Sequence, residues 1–571
     1  MGIIRVLLRV RARIRSTIPA IVATTFGGLS WFLACSSPAA AAAPTDFWKA
    51  EGRQAAVVAG GAEAADAAVE VLRNNGNAAD AAVAALLVLS VTDAGNFCFG
   101  GEVPLLVYDA RRDVVETICG LGAAPRLATV DYFARHKGGR IPADNDPTTA
   151  AVPGAPDAML TALDRFGTKT LGEVARPMLA ALDRGSQTWH PQLAARVRRM
   201  IDAERAAGSD RRRGLRLAAD CFYRGSIARE LDAWSRSHGG LLRYSDLATH
   251  VTRIEDPAAI EYRGHRVLKC GPWTQGPMLL ETLQLLEGFD VRGLGCNSPQ
   301  YVHLAIEAMK LAMADRDAYY ADPAFVDVPL TRLLSADYAA MRRPLIDRVR
   351  ASLEQRPGDP RLGRPLLGVA PADVRASNVV PRDTTTCVVA DRWGNVVAAT
   401  PSGWAGVMAG DTGIRLGSRL RSLNTWPGHP NCIEPGKRPR ITLTPTLVFA
   451  GRKPVLAISV AGGDVQDQVT LQLLLGRIEF GLSPAEAVTA PRFATDHFVG
   501  SFNQTPPKLG SLSLDEGFSK ATADALAASG HVVTRVRAPI GNPVMLAIDP
   551  QSGIKQAAGD PKARRHARSL P

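Results

Sequence analysis

Residues 351–380 divide this chain into two textures, and that division limits what it can fold into. Before them, apolar residues recur mostly at helical spacing. The stretch itself is polar, rich in Pro, Gly and Arg, and aperiodic. Such a segment has no apolar face to bury and reads as a mobile loop or linker. Directly after it comes a β-branched run, Asp383-Thr384-Thr385-Thr386. The chain therefore parses into a leader (1–43), a helix-rich segment (44–383) whose end, about 351–383, is linker, and a segment (384–571) that opens with strands.

Local patterns fill in this outline. Ala55–Ala59 reads as a strand, followed by a helix from Glu63 to Leu72 that the turn residues Asn74-Asn75-Gly76-Asn77 stop. Ala78–Val91 is nearly all apolar, the mark of a deeply buried helix. Leu105–Tyr108 reads as a strand, and Asp157–Phe166 and Leu171–Arg184 as amphipathic helices. Residues 195–250 read as charged, helical and peripheral. Tyr301–Tyr320 is the clearest helix, with Glu307 and Lys310 three apart on one face. Thr384–Ala390, Val396–Thr400, Thr444–Phe449 and Val455–Ser459 read as strands, the first two joined by a turn at Trp393-Gly394-Asn395. A helix follows at Val469–Ile478.

With 46% hydrophobic and 21% charged residues in 571, the chain can bury a sizeable core, which excludes global disorder. Eight cysteines are too few for a disulfide scaffold, and no repeat suggests a solenoid or propeller. The five arginines Arg5, Arg9, Arg11, Arg13 and Arg15 supply part of the net charge of +12. The other basic clusters, Arg211–Arg213 and Lys562, Arg564, Arg565, Arg568, lack interleaved aromatics. They read as solvated surface, and no nucleic-acid partner is expected. No residue pattern calls for a metal or cofactor.

Residues 1–16 are arginine-rich and acid-free, residues 17–35 carry no charge, and an alanine run spans Ala39–Ala43. That is the layout of a secretory leader. Phe32-Leu33-Ala34-Cys35 also loosely resembles a lipoprotein cleavage site, with Cys35 lipidated. An uncleaved anchor helix fits as well. All three imply export, to a bacterial periplasm or to a membrane anchored through the amino terminus.

Asp383-Thr384-Thr385-Thr386 supports two readings. One is a strand start with exposed hydroxyls. The other is an N-terminal nucleophile: cleavage before Thr384 would leave one residue owning both a hydroxyl and an α-amine. An α-amine with an ordinary pKa of about 7.7–8 can accept the hydroxyl proton near neutrality. Nucleophile and base then reside on one residue.

An ordered set of short motifs resembles the γ-glutamyltransferase family of N-terminal-nucleophile enzymes over nearly all of the chain after residue 50. Asn75-Gly76-Asn77-Ala78-Ala79-Asp80-Ala81-Ala82 is similar to its G-G-N-A-x-D-A-A, Ala151-Val152-Pro153-Gly154 to its V-P-G, and Phe222-Tyr223-Arg224-Gly225 to its F-Y-x-G. The stretch His303–Pro323 resembles its H-x-x-x-E-A-x-K-x-A-x-x-D-R helix. Thr384-Thr385-Thr386 with Gly394-Asn395-Val396-Val397 follows its T-T-H-x-S…G-N-x-V. Gly436–Pro439, Thr444-Pro445-Thr446, Gly462-Gly463 and Ala490-Pro491-Arg492 continue in order.

The resemblance implies a four-layer αββα sandwich of mixed helix and sheet. It implies a chain that cuts itself between Asp383 and Thr384 into fragments that stay associated. Thr384 would be the nucleophile, Ser402 would supply a hydroxyl to it, and Gly462 and Gly463 would offer backbone N–H groups to the oxyanion. Departures fall on substrate binding. Leu121 stands where the family's carboxylate-clamping arginine should be. Trp404 replaces an asparagine, Ser422 the acid for the α-ammonium, Arg419 a glutamine, and Ile441-Thr442 a serine pair. Arg419 and the sequences Gly462–Gln468 and Trp426–Asn431 resemble the oxamate amidohydrolase-like branch. Arg419 reads equally as a carboxylate clamp or as a solvated side chain. The resemblance implies a self-cleaving threonine enzyme acting on a small γ-glutamyl amide such as glutathione. The alternatives are an amidohydrolase for a carboxylate-bearing amide without an ammonium, oxamate-like or glutaryl-like, or an inactive binding protein of the same fold.

Overall fold

Short apolar strands with two buried faces build the molecule from its middle outward. In this computed structural model, the described residues are 46–571 apart from 144, 362–363, 366–383 and 404–405, with backbone alone at 364–365. The leader, Cys35, Asp383 and Trp404 thus lie outside the described residues.

The strands forming the two main sheets are, in chain order, β1 (Lys49–Gly52), β2 (Ala55–Ala59), β3 (Leu105–Asp109), β4 (Val114–Cys119), β5 (Arg253–Glu255), β6 (Ala258–Tyr262), β7 (His265–Lys269), β8 (Cys387–Ala390), β9 (Val396–Ala399), β10 (Thr446–Ala450), β11 (Lys453–Ala461), β12 (Asn542–Ile548), β13 (Lys555–Gly559) and β14 (His566–Leu570). One sheet runs β1-β13-β12-β11-β10-β7-β6 and the other β14-β2-β8-β9-β3-β4-β5. Neighbours in both are antiparallel, as in β8 with β9 and β10 with β7.

Strand β2 shows the layering. Ala56 and Val58 pack with Leu106 and Val388 of their own sheet, and with Leu447, Ala457 and Leu546 of the other. Val57 and Ala59, on the opposite face, join the helices α1 (Ala62–Arg73) and α2 (Ala78–Thr92). The second sheet turns Val267, Val448, Ile458 and Met545 toward α3 (Gly276–Leu286), α4 (Pro299–Tyr319) and α5 (Gln466–Ile478). Side chains alternate across a strand, so two-sided burial requires apolar residues at every position. The order of layers is α, β, β, α, as the resemblance implied.

Both sheets mix strands from either side of Thr384. Strand β8 lies between β2 and β9, and β10 pairs with β7. The two segments are therefore interleaved throughout the core.

The Asn-Gly-Asn motif has a structural use. The Asn77 side chain accepts from the N–H groups of Ala79 and Asp80, and Asp80 accepts from Asn77 N at 2.9 Å. This capping box satisfies the start of a helix buried from Ala78 to Val91. Asp391, in the β8–β9 turn, receives the Ala78 N–H at 2.9 Å.

Two expectations change. The strand expected from Thr384 begins at Cys387, because Thr384 has φ +80°, outside the β region. The helix expected over Leu171–Arg184 is two, Leu171–Val174 and Arg176–Arg184, with Pro177 restarting it. Residues 351–361, the described start of the stretch read as linker, hydrogen-bond to the body of the molecule: Lys310 donates to Ser352 O at 3.0 Å, Ala351 N to Ser529 O at 2.7 Å, and Gln355 to His497 O at 2.8 Å. Residues 366–383 of that stretch lie outside the described residues. Among the described residues, no helix is long and apolar enough to cross a membrane.

Candidate active site

Thr384 lies between the two sheets' ends, 1% exposed. Its N–H donates to Asn96 O at 3.3 Å, and the next residue, Thr385, donates its N–H to Pro401 O at 2.9 Å. A positive φ on a β-branched residue is strained, at roughly 1–3 kcal/mol, and persists where the surroundings impose it. Gly60 is part of that surround. Its N–H bonds Thr386 O, and a Cβ on Gly60 would lie 1.8 Å from Thr385 Oγ1.

The side-chain amide of Gln466, the first residue of α5, lies 3.4 Å from Thr384 Oγ1. Its nitrogen is best turned toward the carbonyls of Thr442 (3.0 Å) and Val460 (2.9 Å). The amide oxygen then faces Thr384 and accepts from its hydroxyl. Thr442 itself is fully buried, and its own hydroxyl has no hydrogen-bond partner among the described residues.

Gly462 (φ +139°) and Gly463 (φ +61°) follow β11 and lead into α5. Both angles favour glycine. The turn is held from outside. Arg316 of α4 donates to Asp464 Oδ1 at 2.7 Å and to Gln275 Oε1 at 3.0 Å, and Ser501 donates to Asp464 at 2.6 Å. The Thr400 and Ser459 hydroxyls, 2.9 Å apart, tie the two sheets beside it. Backbone N–H groups at the start of a 13-residue helix, at the end of a strand, suit a developing negative charge.

Ser402 and Arg419 lie side by side, with a partner that the sequence did not reveal. Arg419 is 3% exposed, so it is not a solvated side chain. Its Nη2 donates to Ser402 Oγ at 2.9 Å, its Nη1 to Ser422 Oγ at 3.4 Å, and its Nε to Glu102 Oε1 at 2.7 Å. Phe502 lies over the guanidinium, 5.5 Å from ring centre to Cζ. A Cβ on Gly463 would come within 3.3 Å of that same ring. One aromatic ring thus separates the ion pair from the glycine turn.

Glu102 escaped the sequence reading because it follows two glycines, with nothing nearby to mark its burial. Arg565 escaped it too. Expected on the surface, it is buried, with Nη1 3.4 Å from Thr385 Oγ1 and 4.0 Å from Asp93. Burial raises the Asp93 pKa, which the Arg565 charge counters. Arg440, also buried, is pushed down to about 10 by desolvation and by the charge of Arg316.

One cluster among the described residues has metal-ligand composition, His303, Glu307 and His531, with ligand atoms within 4.8 Å of one another. His303 and Glu307 stand on α4 and His531 lies far along the chain, and the cluster is already answered internally. Lys310 donates to Glu307 at 2.6 Å, and the two imidazoles bond each other at 2.9 Å. The described cysteines are unpaired.

A profile of the gamma-glutamyltranspeptidase family matches residues 64–208 and 211–570. The chain belongs to that family. It is an enzyme of the gamma-glutamyltransferase group. It is 28% identical over 528 residues to the glutathione hydrolase proenzyme of Bacillus subtilis, covering 87% of this chain and 88% of that protein. It is 30% identical over 552 residues to the acylase ACY 1 proenzyme of Pseudomonas sp. strain SE83, covering 89% and 92%. The cephalosporin acylase of Bacillus halodurans superposes with a TM-score of 0.77 at 25% identity, over 94% of this chain and 99% of that one. Relatives named as a glutathione hydrolase and as an acylase thus stand at similar identity to this chain.

Proposed function

We propose that this chain is a self-cleaving amidase or acyltransferase whose nucleophile is Thr384. The observation that carries the reading is the strained φ of +80° at Thr384, with the Gln466 amide on its hydroxyl. Strain sits on the residue whose preceding peptide bond must break.

In the first reaction the Thr384 hydroxyl oxygen attacks the carbonyl carbon of Asp383. The peptide bond to Thr384 N breaks, and an ester forms. Water hydrolyses the ester, leaving a carboxylate on Asp383 and an α-amine on Thr384. In the second reaction that amine takes the hydroxyl proton as Oγ attacks the substrate's amide carbonyl. The oxyanion faces the N–H groups at Gly462 and Gly463. The proton passes to the departing amine, and the acyl group stays on Thr384 until water or another amine takes it. Arg419 donates to the Ser402 oxygen, which leaves that hydroxyl its own proton to donate to the Thr384 oxygen.

The glutathione hydrolase relative supports a γ-glutamyl amide such as glutathione as substrate. A second reading, an acyl group without an α-ammonium, draws on Leu121 and Ser422, which supply neither a clamping cation nor an acid. The interleaved strands support fragments that stay together after cleavage, and the amino terminus supports export. Sequencing the termini of purified protein tests the core of the reading: a fragment beginning at Thr384 is expected. Thr384→Ala should abolish both that fragment and turnover of glutathione, γ-glutamyl anilide, glutaryl amide and oxamate. Turnover that survives the substitution would refute the assignment.

A further inference from the structure

We infer that Glu102 is a specificity-determining residue that excludes acyl groups carrying a lone carboxylate, an inference that rests on the threonine-amidase reading. Glu102 is 3% exposed. It is fixed at both its backbone and its side chain. Glu102 and Ser402 exchange two backbone hydrogen bonds, each 2.9 Å. The neighbouring Gly101 allows this approach, because a Cβ there would lie 2.1 Å from Ser402 O. The side chain then meets Arg419 Nε at 2.7 Å, while Arg419 Nη2 reaches Ser402 Oγ. One guanidinium therefore binds the side chains of two residues whose backbones are already joined.

The arrangement changes what Arg419 offers a substrate. A buried arginine bonded to Ser402 would by itself attract a carboxylate. Here a carboxylate already answers it, and Phe502 covers the guanidinium face between Arg419 and the Gly463 turn. An acyl group with a lone carboxylate would bring a second negative charge toward Glu102 in a desolvated site, where like charges repel strongly. A zwitterionic head, with one charge of each sign, adds no net charge. Neither does an uncharged acyl chain. The substrate class that the pair admits is thus an amide whose acyl group is net neutral.

Three p-nitroanilides of matched reach test this: γ-glutamyl (zwitterionic), glutaryl (lone carboxylate) and pentanoyl (uncharged). Each is assayed with processed wild type, Glu102→Gln and Glu102→Asp, after the fragment starting at Thr384 has been verified. Wild type should show a lower kcat/KM for glutaryl than for pentanoyl. Glu102→Gln should raise the glutaryl-to-pentanoyl ratio at least about tenfold, mainly through KM, since it leaves Arg419 unanswered by that carboxylate. Glu102→Asp should keep the wild-type order. An unchanged ratio in Glu102→Gln overturns the inference while leaving the amidase reading intact. Should Glu102→Gln fail to fold or process, the wild-type order still decides: glutaryl preferred over pentanoyl overturns the inference. Processed wild type that turns over none of the three overturns the amidase reading and the inference with it.

Discussion

The Gln466 side-chain amide and the Thr384 hydroxyl lie 3.4 Å apart, at the first residue of a helix and three residues before a strand. Two carbonyls fix the amide nitrogen, so its oxygen can only face the hydroxyl. Replacing Gln466 with Leu removes that acceptor and leaves the carbonyls of Thr442 and Val460 unanswered. A lost hydrogen bond of this kind costs about 1–3 kcal/mol, or about 10–100-fold in rate. Steady-state kinetics of processed Gln466→Leu should show the loss in kcat with KM little changed. A loss confined to KM would place Gln466 in substrate binding instead.

A second prediction concerns a pair one residue further along α5. Asp467 and Lys269 are both fully buried and 2.7 Å apart, and Lys269 Nζ also donates to Thr444 O and Thr446 Oγ1. Burial lowers the Lys269 pKa and raises that of Asp467, so each charge opposes folding before the pair offsets it. Lys269→Met alone should cost about 3–5 kcal/mol in denaturant unfolding, because it strands a buried carboxylate. Lys269→Met with Asp467→Leu should recover most of that loss.

Much of the scaffold was legible because its pattern is local. Ala55–Ala59 and the β8–β9 hairpin with its Trp393-Gly394-Asn395 turn carry their own periods and turn residues. The helix at 62–73 does likewise. Strands β5 to β7 and β12 to β14 were missed: they alternate weakly and are completed by partners far away in sequence, as β13 is by β1. For the candidate site, Thr384, Ser402, Gly462, Gly463 and Arg419 are proposed from ordered motifs. Glu102, Gln466, Arg565 and Arg316 acquire their roles from burial and from contacts across layers. No spacing along the chain encodes those contacts. Residues 351–361 carry no periodic pattern, and their hydrogen bonds to Lys310, Ser529 and His497 have no mark in the sequence either.

Two histidines predict how stability follows pH. His497 is pushed down to about 4 and His531 to about 3, in both cases first by burial and then by the Lys310 charge. Both are therefore neutral in the folded protein near neutrality, while in the unfolded chain they protonate at about 6.5. The unfolded state binds more protons below that value. Their contribution is intact above about pH 6.5 and is lost as pH falls toward 4 and then 3. The slope is at most about 1.4 kcal/mol per pH unit for each histidine. Urea unfolding between pH 7 and pH 5 should show declining stability, and His531→Gln should flatten the decline. An equal slope in that variant would assign the pH dependence to other groups.

The contact between Gly60 and Thr385 gives a prediction with its own internal rescue. Gly60 is needed for space: an added Cβ would sit 1.8 Å from Thr385 Oγ1, 3.1 Å from Arg565 Nη1 and 3.2 Å from Leu89 Cδ2. Thr385 is bonded to Pro401 O, so it cannot retreat without shifting the strained residue before it. Overpacking of this kind costs about 1–3 kcal/mol. Gly60→Ala should slow the appearance of the fragment beginning at Thr384 by about tenfold or more, followed on a denaturing gel. Adding Thr385→Ala removes the clashing oxygen and should restore most of the rate. If the double variant processes no faster than Gly60→Ala alone, crowding at Thr385 is not what governs the geometry of Thr384.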